Sequence, residues 1–419
     1  MSQLRRDILA IRPRPLPGEI FSSWLVRLAW GNAQKLHPFT TNVLGFERFF
    51  WAADVDRTTA SDKFARLALL TGVHDSRIRR TTISGLAGII LEQMPSLGPI
   101  NWILPIGRSG RTHKRPGQQF CAQCLSSDPT PYFRLSWRLG CVVGCGHHHH
   151  LLRDRCPKCG ASVSFHESDY GRRKFPSTCE LTICRRCLFD LRDSDVVFGE
   201  TPLNDTLLQY QNIVDIALAT GWAKLPKLPH MMALSFFNGL HVLARQFASN
   251  GRLRPLRDVA SSNMGEFSFS LPLRPGHTVI EDLPVGDRGT ILSIVSWVLD
   301  EWPYRYIEIC KQARVSGSYL GSDDRHLPYW LSKELRWDLL DTDRHVSPEE
   351  WASAKKYLAD HGLDTCKNNI RRWLGLHHAP YRRQAEPFDI CPRDYIGHDR
   401  GPHRPSFTPL DSSDDENNH

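Results

Sequence analysis

The strongest constraint on this fold is a run of cysteine pairs between residues 121 and 187, where nine of the chain's 12 cysteines lie. Three pairs are separated by two residues, and a fourth knuckle has the form Cys-x-x-His. Two ligands at this spacing can bind one tetrahedral Zn²⁺, because the tight turn points both toward the ion. Four knuckles supply eight ligands, enough for two closed sites. The pattern therefore predicts two structural zinc ions rather than disulfides or free thiols.

Sequential pairing of the knuckles is the simplest arrangement. It gives a first site of Cys121, Cys124, Cys145 and His148, and a second site of Cys156, Cys159, Cys184 and Cys187. A cross-braced or nested pairing uses the same residues and stays open. The histidine ligand is also open within the run 147–150, and His148 is preferred because it repeats the two-residue spacing. The other cysteines have no partner at that spacing: Cys141, Cys179, Cys310, Cys366 and Cys391.

The N-terminal segment predicts an arm followed by helices. Residues 1–19 read as extended, because three prolines at alternate positions from residue 13 resist helix. A helix is expected near Trp24, with Ser22 or Ser23 as its cap. Further helices are expected over 41–51 and 61–71.

A helix-turn-helix is predicted over Phe64–Ile78. Ala68 is small where two helices approach, Gly72 can adopt the turn conformation, and Ile78 can pack back onto the first helix. The second helix would be capped by Asp75 or Ser76 and would expose candidate DNA- or partner-contacting residues: Arg77, Arg79, Arg80 and Thr81. An ordinary helical hairpin that contacts no DNA is the competing interpretation.

The remaining chain is predicted to be helical after a basic linker at 105–119, which carries the candidate contacts Arg108, Arg111, Lys114 and Arg115. Helices are expected over 203–222, 231–248, 288–301, 303–313 and 317–321, with a loop-rich segment at 251–290. Ser347 and Pro348 begin another helix that ends at Gly362. Asp364 then caps a helix carrying the further candidate contacts Lys367, Arg371 and Arg372.

The expected fold class is mainly α. A helical N-terminal domain with the helix-turn-helix spans 1–104, the linker 105–119, and a central double zinc-ribbon or knuckle module 120–195. A helical C-terminal domain with helix-turn-helix-like pairs spans 200–400, and a disordered acidic tail spans 401–419.

Composition limits the functional classes. The net charge of +8 is compatible with nucleic acid but does not require it. The sequence contains no P-loop, no G-x-S-x-G and no HExxH pattern. No apolar run approaches the roughly 20 residues that span a bilayer, and residues 1–11 lack a signal-peptide core. These features predict a cytoplasmic, nucleoid-associated bacterial protein that contacts no membrane and is not an enzyme.

Two stretches resemble the TniQ family, which is related to TnsD. One is Pro15–Ala29, with the sequence PLPGEIFSSWLVRLA, and the other is Tyr132–Arg138, with the sequence YFRLSWR, between the first two knuckles. The resemblance covers roughly residues 12–190. Gly146 and the histidine run depart from the family pattern, which often has proline after that cysteine.

The resemblance implies a non-catalytic transposition accessory protein that selects target DNA. It also implies that the protein works with an AAA+ ATPase of the TniB or TnsC type and a DDE transposase, and in some members with a CRISPR effector complex. It further implies that the protein can form a homodimer. At 419 residues the chain is similar to the shorter TniQ of mercury-resistance transposons. The alternatives are a sequence-specific zinc-containing transcriptional regulator and a zinc-dependent nuclease or deaminase. The latter needs an open zinc site with a positioned carboxylate, for which Glu167 and Glu180 are the nearby candidates.

Overall fold

A computed structural model describes most of the chain. The described residues are 8–47, 50–95, 98–106, 117–167, 181–265, 279–315, 320, 327–339 and 346–374. Contacts divide the chain into Met1–Leu339 and Leu340–His419. The described residues are mainly helical, which confirms the predicted fold class at that level. None of their helices is long and apolar enough to cross a membrane.

The helices of the first unit fall before, within and after the cysteine-rich region. Among the described residues, the α-helices of this unit are Phe21–Gly31, Leu36–Pro38, Ser61–Thr71, Asp75–Arg79, Ala122–Ser127, Ser194–Phe198, Asp205–Thr220, Ala233–Ala248, Arg254–Met264, Val285–Asp300, Tyr304–Gln312 and Tyr329–Asp338. Short strands Trp222–Ala223 and Met231–Met232 pair antiparallel, with Trp222 opposite Met232. They connect two long C-terminal helices.

The first helix starts earlier than predicted. It begins at Phe21, and its N-cap is Ile20, which makes no side-chain cap hydrogen bond. Ser22 and Ser23 therefore lie inside the helix, so their predicted capping role is wrong. The Ser22 hydroxyl donates to Asp56 Oδ2 at 3.1 Å, and the Ser23 hydroxyl donates to Glu19 Oε1 at 2.9 Å. Carboxylates outside the helix thus accept hydrogen bonds from the two hydroxyls that were predicted to cap it.

The predicted helix at 61–71 is confirmed and ends at Gly72, whose φ of +71° only glycine adopts at little cost. The second helix spans only Asp75–Arg79. His74 is its cap, since its side chain accepts from the Ser76 backbone N–H, and this corrects the expectation of Asp75 or Ser76. Helical geometry on both sides of Gly72 agrees with a helical hairpin, while its use as a DNA-binding motif stays a prediction.

Two other predictions of local structure, one helix and one loop-rich segment, need correction. The segment 41–51 forms only short turns at Phe39–Val43 and Phe50–Ala52, separated by Gly45 with a φ of +72°. Conversely, Arg254–Met264 is a helix inside the segment expected to be loop-rich. Its interior is polar at many positions, so hydrophobic periodicity marks it poorly. The short helix predicted at 317–321 lies mostly outside the described residues.

One continuous hydrophobic core joins the N-terminal segments, the cysteine-rich region and the C-terminal helices of the first unit. In its C-terminal part, Val285–Asp300 packs against both Asp205–Thr220 and Ala233–Ala248. Trp102 connects the parts, because its indole N–H donates to Phe237 O at 2.9 Å and its backbone N–H donates to the Glu281 carboxylate at 2.6 Å. The domain boundaries predicted within residues 1–339 stay predictions.

The second unit contains helices Pro348–Asp360 and Lys367–Trp373. Ser347 and Glu350 form the capping box expected from the sequence, and Gly362 follows the first helix with a φ of +67°. Tyr357 stacks on Trp373 with ring centroids 4.9 Å apart. The predicted tail at 401–419 lies outside the described residues.

Candidate metal centres and basic surface

The first candidate metal centre brings together Cys121, Cys124, Cys145 and His148. His148 Nδ1 lies 3.4, 3.3 and 3.5 Å from the sulfurs of Cys121, Cys124 and Cys145, and the Cys124 and Cys145 sulfurs are 3.6 Å apart. Tetrahedral zinc, with Zn–S near 2.3 Å and Zn–N near 2.0–2.1 Å, needs ligand atoms about 3.6–3.8 Å apart. The four atoms therefore surround a volume of the size that one such ion requires.

Backbone turns produce this geometry. Cys121 is the N-cap of Ala122–Ser127, and its sulfur accepts from the Cys124 N–H at 3.3 Å. The Cys145 carbonyl accepts from His149 N–H at 2.9 Å, and the Cys145 N–H donates to His150 O at 2.9 Å. Both knuckles are thus closed by main-chain hydrogen bonds that aim their side chains at a common point.

The second candidate centre contains Cys156, Cys159, Cys184 and Cys187. The Cys156 and Cys187 sulfurs are 3.6 Å apart, and those of Cys159 and Cys184 are 3.7 Å apart. These separations match the tetrahedral sulfur spacing of about 3.8 Å. The structure therefore groups the knuckles in sequential pairs, the simplest of the arrangements left open by the sequence.

The same turn recurs in both knuckles of the second centre. Gly160 N–H donates to Cys156 O at 2.9 Å, and Leu188 N–H donates to Cys184 O at 3.0 Å. Gly160 and Leu188 both have positive φ, at 68° and 59°. For Leu188 this conformation is uncommon, and its side chain is exposed. The repeated backbone geometry presents two inward-facing sulfurs from each knuckle.

The thiols within each cluster differ in pKa. In the first, the contact with Cys124 raises the pKa of Cys121, while hydrogen bonds from Cys121 and Cys124 lower the pKa of Cys145. In the second cluster, burial acts to raise the pKa of Cys187, but hydrogen bonds from the Phe189 backbone and from neighbouring thiols lower it to about 7. Clustered thiols of this kind favour a cation, since metal binding converts all of them to thiolates.

The described cysteines outside the knuckles belong to neither group of candidate ligands. Cys141 is buried, and burial raises its pKa well above the ordinary value. Burial also raises the pKa of Cys310 to about 12. Cys366 is exposed. Cys179 and Cys391 lie outside the described residues.

Each cluster offers four protein ligands, which is the arrangement of a structural rather than a catalytic zinc site. Of the two carboxylates considered for metal-dependent catalysis, Glu167 forms an ion pair with Arg185. Glu180 lies outside the described residues. The described geometry thus gives Glu167 a partner other than a metal-bound water.

The candidate basic residues of the helical hairpin differ in their surroundings. Arg77 and Arg80 are exposed, although Arg77 Nη2 also donates to Pro15 O at 2.8 Å. Arg79 is half-buried, pairs with Asp75 at 2.6 Å and lies over the Phe64 ring at 4.7 Å. Its charge is therefore largely engaged within the protein.

Thr81 is buried, so its predicted exposure is wrong. Its hydroxyl donates to Ile78 O at 2.6 Å, and its carbonyl accepts from Phe21 N–H at 2.8 Å. The second helix has already ended, and the chain turns into the core at this point.

The other candidate basic residues are described only in part. Arg108, Arg111, Lys114 and Arg115 lie outside the described residues. Lys367 is exposed at the start of Lys367–Trp373, and Arg371 and Arg372 are further along the same helix.

His150 is buried beside Cys121 and forms a third group with Asp195 and Glu200, although nothing in the sequence distinguishes it from its neighbours in the run 147–150. Its place in the run 147–150 marked it as a candidate ligand, but the sequence does not indicate which of the four rings is buried.

A family model described as TniQ matches residues 10–152 of the chain. The match includes the N-terminal arm, the helical hairpin and all four ligands of the first centre, and it stops before the second centre. No curated protein matches the chain.

Proposed function

We propose that this chain, whose residues 10–152 match the TniQ family, selects target DNA in transposition and recruits an AAA+ ATPase and a DDE transposase without catalysing a step itself. The family match is the observation that carries this proposal. The two closed metal clusters are compatible with it, since closed sites suit a protein that organises other components.

The exposed part of the helical hairpin is the proposed contact surface. Arg77 and Arg80 face solvent, whereas Arg79 is held by Asp75 and Phe64. The second helix has only five residues, about 7.5 Å in length. A helix this short supports contacts with phosphates or a protein partner better than readout of several base edges.

A transposition assay with sequenced insertion sites tests the function. Deleting the gene should abolish insertion at the preferred target, and the full chain should restore it. Unchanged insertion frequency and distribution without the protein would overturn the proposed role.

The double variant Arg77→Ala/Arg80→Ala tests the surface. Its DNA affinity should fall, and the slope of log affinity against log salt should decrease by about 2, or about 1 for each lost phosphate contact. Arg254→Ala is the matched control, because Arg254 is an exposed helical arginine in another region. Equal DNA and ATPase binding by all three proteins would show that this surface is not used. Loss of ATPase binding alone would assign it to the protein partner.

We also propose that each cluster holds one structural Zn²⁺. The full chain should then contain two zinc ions, and Cys124→Ser and Cys159→Ser should each lose one and destabilise the surrounding region. Cys366→Ser, which changes an exposed thiol outside both clusters, should retain both ions. Full zinc content in the two knuckle variants would contradict the assignment.

A further inference from the structure

His150 lies immediately behind the first metal centre. Its side chain is 3% exposed, and its ring lies nearly parallel to that of His148 with centroids 5.8 Å apart. His150 Nε2 is 3.2 Å from the Cys121 sulfur, whereas His148 Nδ1 approaches three cysteine sulfurs. The two histidines therefore have different positions: His148 completes the tetrahedron, and His150 approaches one of its corners from outside.

Two carboxylates lie near the His150 ring without forming a hydrogen bond to it. Asp195 Oδ2 lies 3.6 Å from Nε2, and Glu200 Oε2 lies 3.3 Å from Nδ1. Asp195 is also fixed by Arg153, whose Nε donates to its Oδ1 at 3.0 Å. Glu200 Oε2 accepts from the Gln123 side-chain amide at 2.7 Å.

This arrangement argues against a third metal ion on His150, Asp195 and Glu200. The two carboxylates are closest to different ring nitrogens, so they do not converge on one lone pair. The Arg153 guanidinium already provides a positive charge beside Asp195. The Cys121 sulfur, in contrast, lies close to Nε2 and has only acceptor capacity once it is a thiolate.

We infer that His150 is a positioning residue for the first metal centre, donating a hydrogen bond from Nε2 to the Cys121 thiolate. The inference rests on the zinc occupancy proposed above. A hydrogen bond to a metal-bound thiolate fixes its orientation and withdraws electron density from the sulfur. Such outer contacts typically change metal affinity 10–100-fold.

Variants of the full-length chain at position 150 separate this role from simple packing. His150→Gln can place an amide N–H near the position of Nε2, whereas the shorter side chain of His150→Asn cannot reach it. His150→Phe keeps a ring of similar shape and removes both nitrogens. His147→Gln is the control, because His147 is exposed in the same histidine run.

Zinc retention is measured by adding a chelator with a thiol-alkylating reagent and mapping modified cysteines by mass spectrometry. In His150→Phe and His150→Asn, the first-centre cysteines should become modified at least about 10-fold faster than in the wild type. The four cysteines of the second centre serve as the internal reference and should keep their wild-type rate. His150→Gln and His147→Gln should protect both centres as the wild type does.

Cobalt substitution gives a readout that packing alone does not change. Loss of the hydrogen bond makes the Cys121 thiolate a better electron donor, so the sulfur-to-cobalt charge-transfer band should shift to longer wavelength in His150→Phe and return in His150→Gln. If His150→Phe unfolds the region, the cysteines of the second centre will also be modified faster than in the wild type. The comparison of His150→Gln with His150→Asn then tests the hydrogen bond.

Three results would overturn the inference. One is that the wild type holds two zinc ions, but its Phe, Asn and Gln variants at position 150 all have the same cysteine modification rates and cobalt spectrum as the wild type. Another is a stoichiometry of three ions that falls to two on His150→Phe, which would make His150 a ligand. A wild type without zinc at the first centre would remove the premise, independently of whether the protein directs transposition.

Discussion

Arg138 should be among the side chains whose loss most destabilises this protein. It is fully buried, donates to Asp54 Oδ2 at 2.6 Å and to Asp56 Oδ2 at 2.9 Å, and also donates to Leu104 O at 3.0 Å. Asp56 is equally buried and accepts from the Ser22 N–H at 2.8 Å. The network therefore joins the first helix, the 54–57 turn and the segment that precedes the Cys145 knuckle.

The substitution Arg138→Met keeps much of the side-chain volume and removes the cation. Removing one partner of a buried ion pair costs about 3–5 kcal/mol, because the remaining charge is left without compensation. Burial already raises the pKa of Asp56 to about 6 with Arg138 present, so the lone carboxyl should take up a proton and moderate this cost. An expected loss of about 3 kcal/mol is a large fraction of the 5–15 kcal/mol typical of a folded protein.

Urea unfolding at neutral pH, followed by tryptophan fluorescence, measures the change. Arg254→Met is the control: Arg254 pairs with Asp258 on an exposed helix face at 3.4 Å, where such pairs contribute about 0.5 kcal/mol or less. Adding Asp56→Asn to Arg138→Met should recover part of the lost stability. Similar small losses for Arg138→Met and Arg254→Met would refute the reasoning.

Three further predictions concern pH, backbone packing and thiol reactivity. Because burial raises the folded-state pKa of Asp56 from 3.8 to about 6, the stability gained from its protonated carboxyl is complete below pH 4 and lost as the pH rises through 6; unfolding measured across this range should show a loss of stability that Asp56→Asn lacks. Gly85→Ala would place a Cβ 2.9 Å from two backbone atoms and should lower the melting temperature, whereas Gly286→Ala, with no atom within 4 Å of its Cβ, should change it little. In the zinc-loaded protein, iodoacetamide should modify the exposed Cys366 quickly and the buried Cys141 slowly, as peptide mapping would show.

Local sequence signals predicted the elements whose determinants are neighbours in the chain. The knuckle spacing identified the candidate ligands that the structure groups in two clusters, and His148 was preferred because its spacing matches the cysteine pairs. Gly72 and the Ser347–Glu350 box marked helix ends for the same reason, since each acts within one turn.

Long-range contacts explain what sequence patterns could not supply. Ser22 looked like a cap but binds Asp56, which is 34 residues away. Thr81 looked exposed on a helix, yet its carbonyl accepts from Phe21 N–H in the core. The buried side chain of His150 lies close to Asp195 and Glu200, which come from a segment beyond the second metal centre.

The two stretches that carry the TniQ resemblance contact each other. Ile20 N–H donates to Phe133 O at 2.9 Å, and the Tyr132 hydroxyl donates to Pro17 O at 3.1 Å. Arg134 stacks on Trp137 at 4.7 Å rather than projecting toward a ligand. These motifs therefore build the joint between the N-terminal arm and the first metal centre.

It follows that the family signature identifies an architecture more directly than it identifies a binding surface. Its residues are engaged in holding the arm, and Arg77 contributes from the outside by donating to Pro15 O. Substituting Arg77 alone can loosen the arm as well as remove a surface charge. Arg80, in contrast, is exposed, and its side chain donates to Ser76 O on its own helix. A loss of DNA or partner binding in Arg80→Ala, with the stability unchanged, is therefore the stronger evidence that this surface acts in target selection.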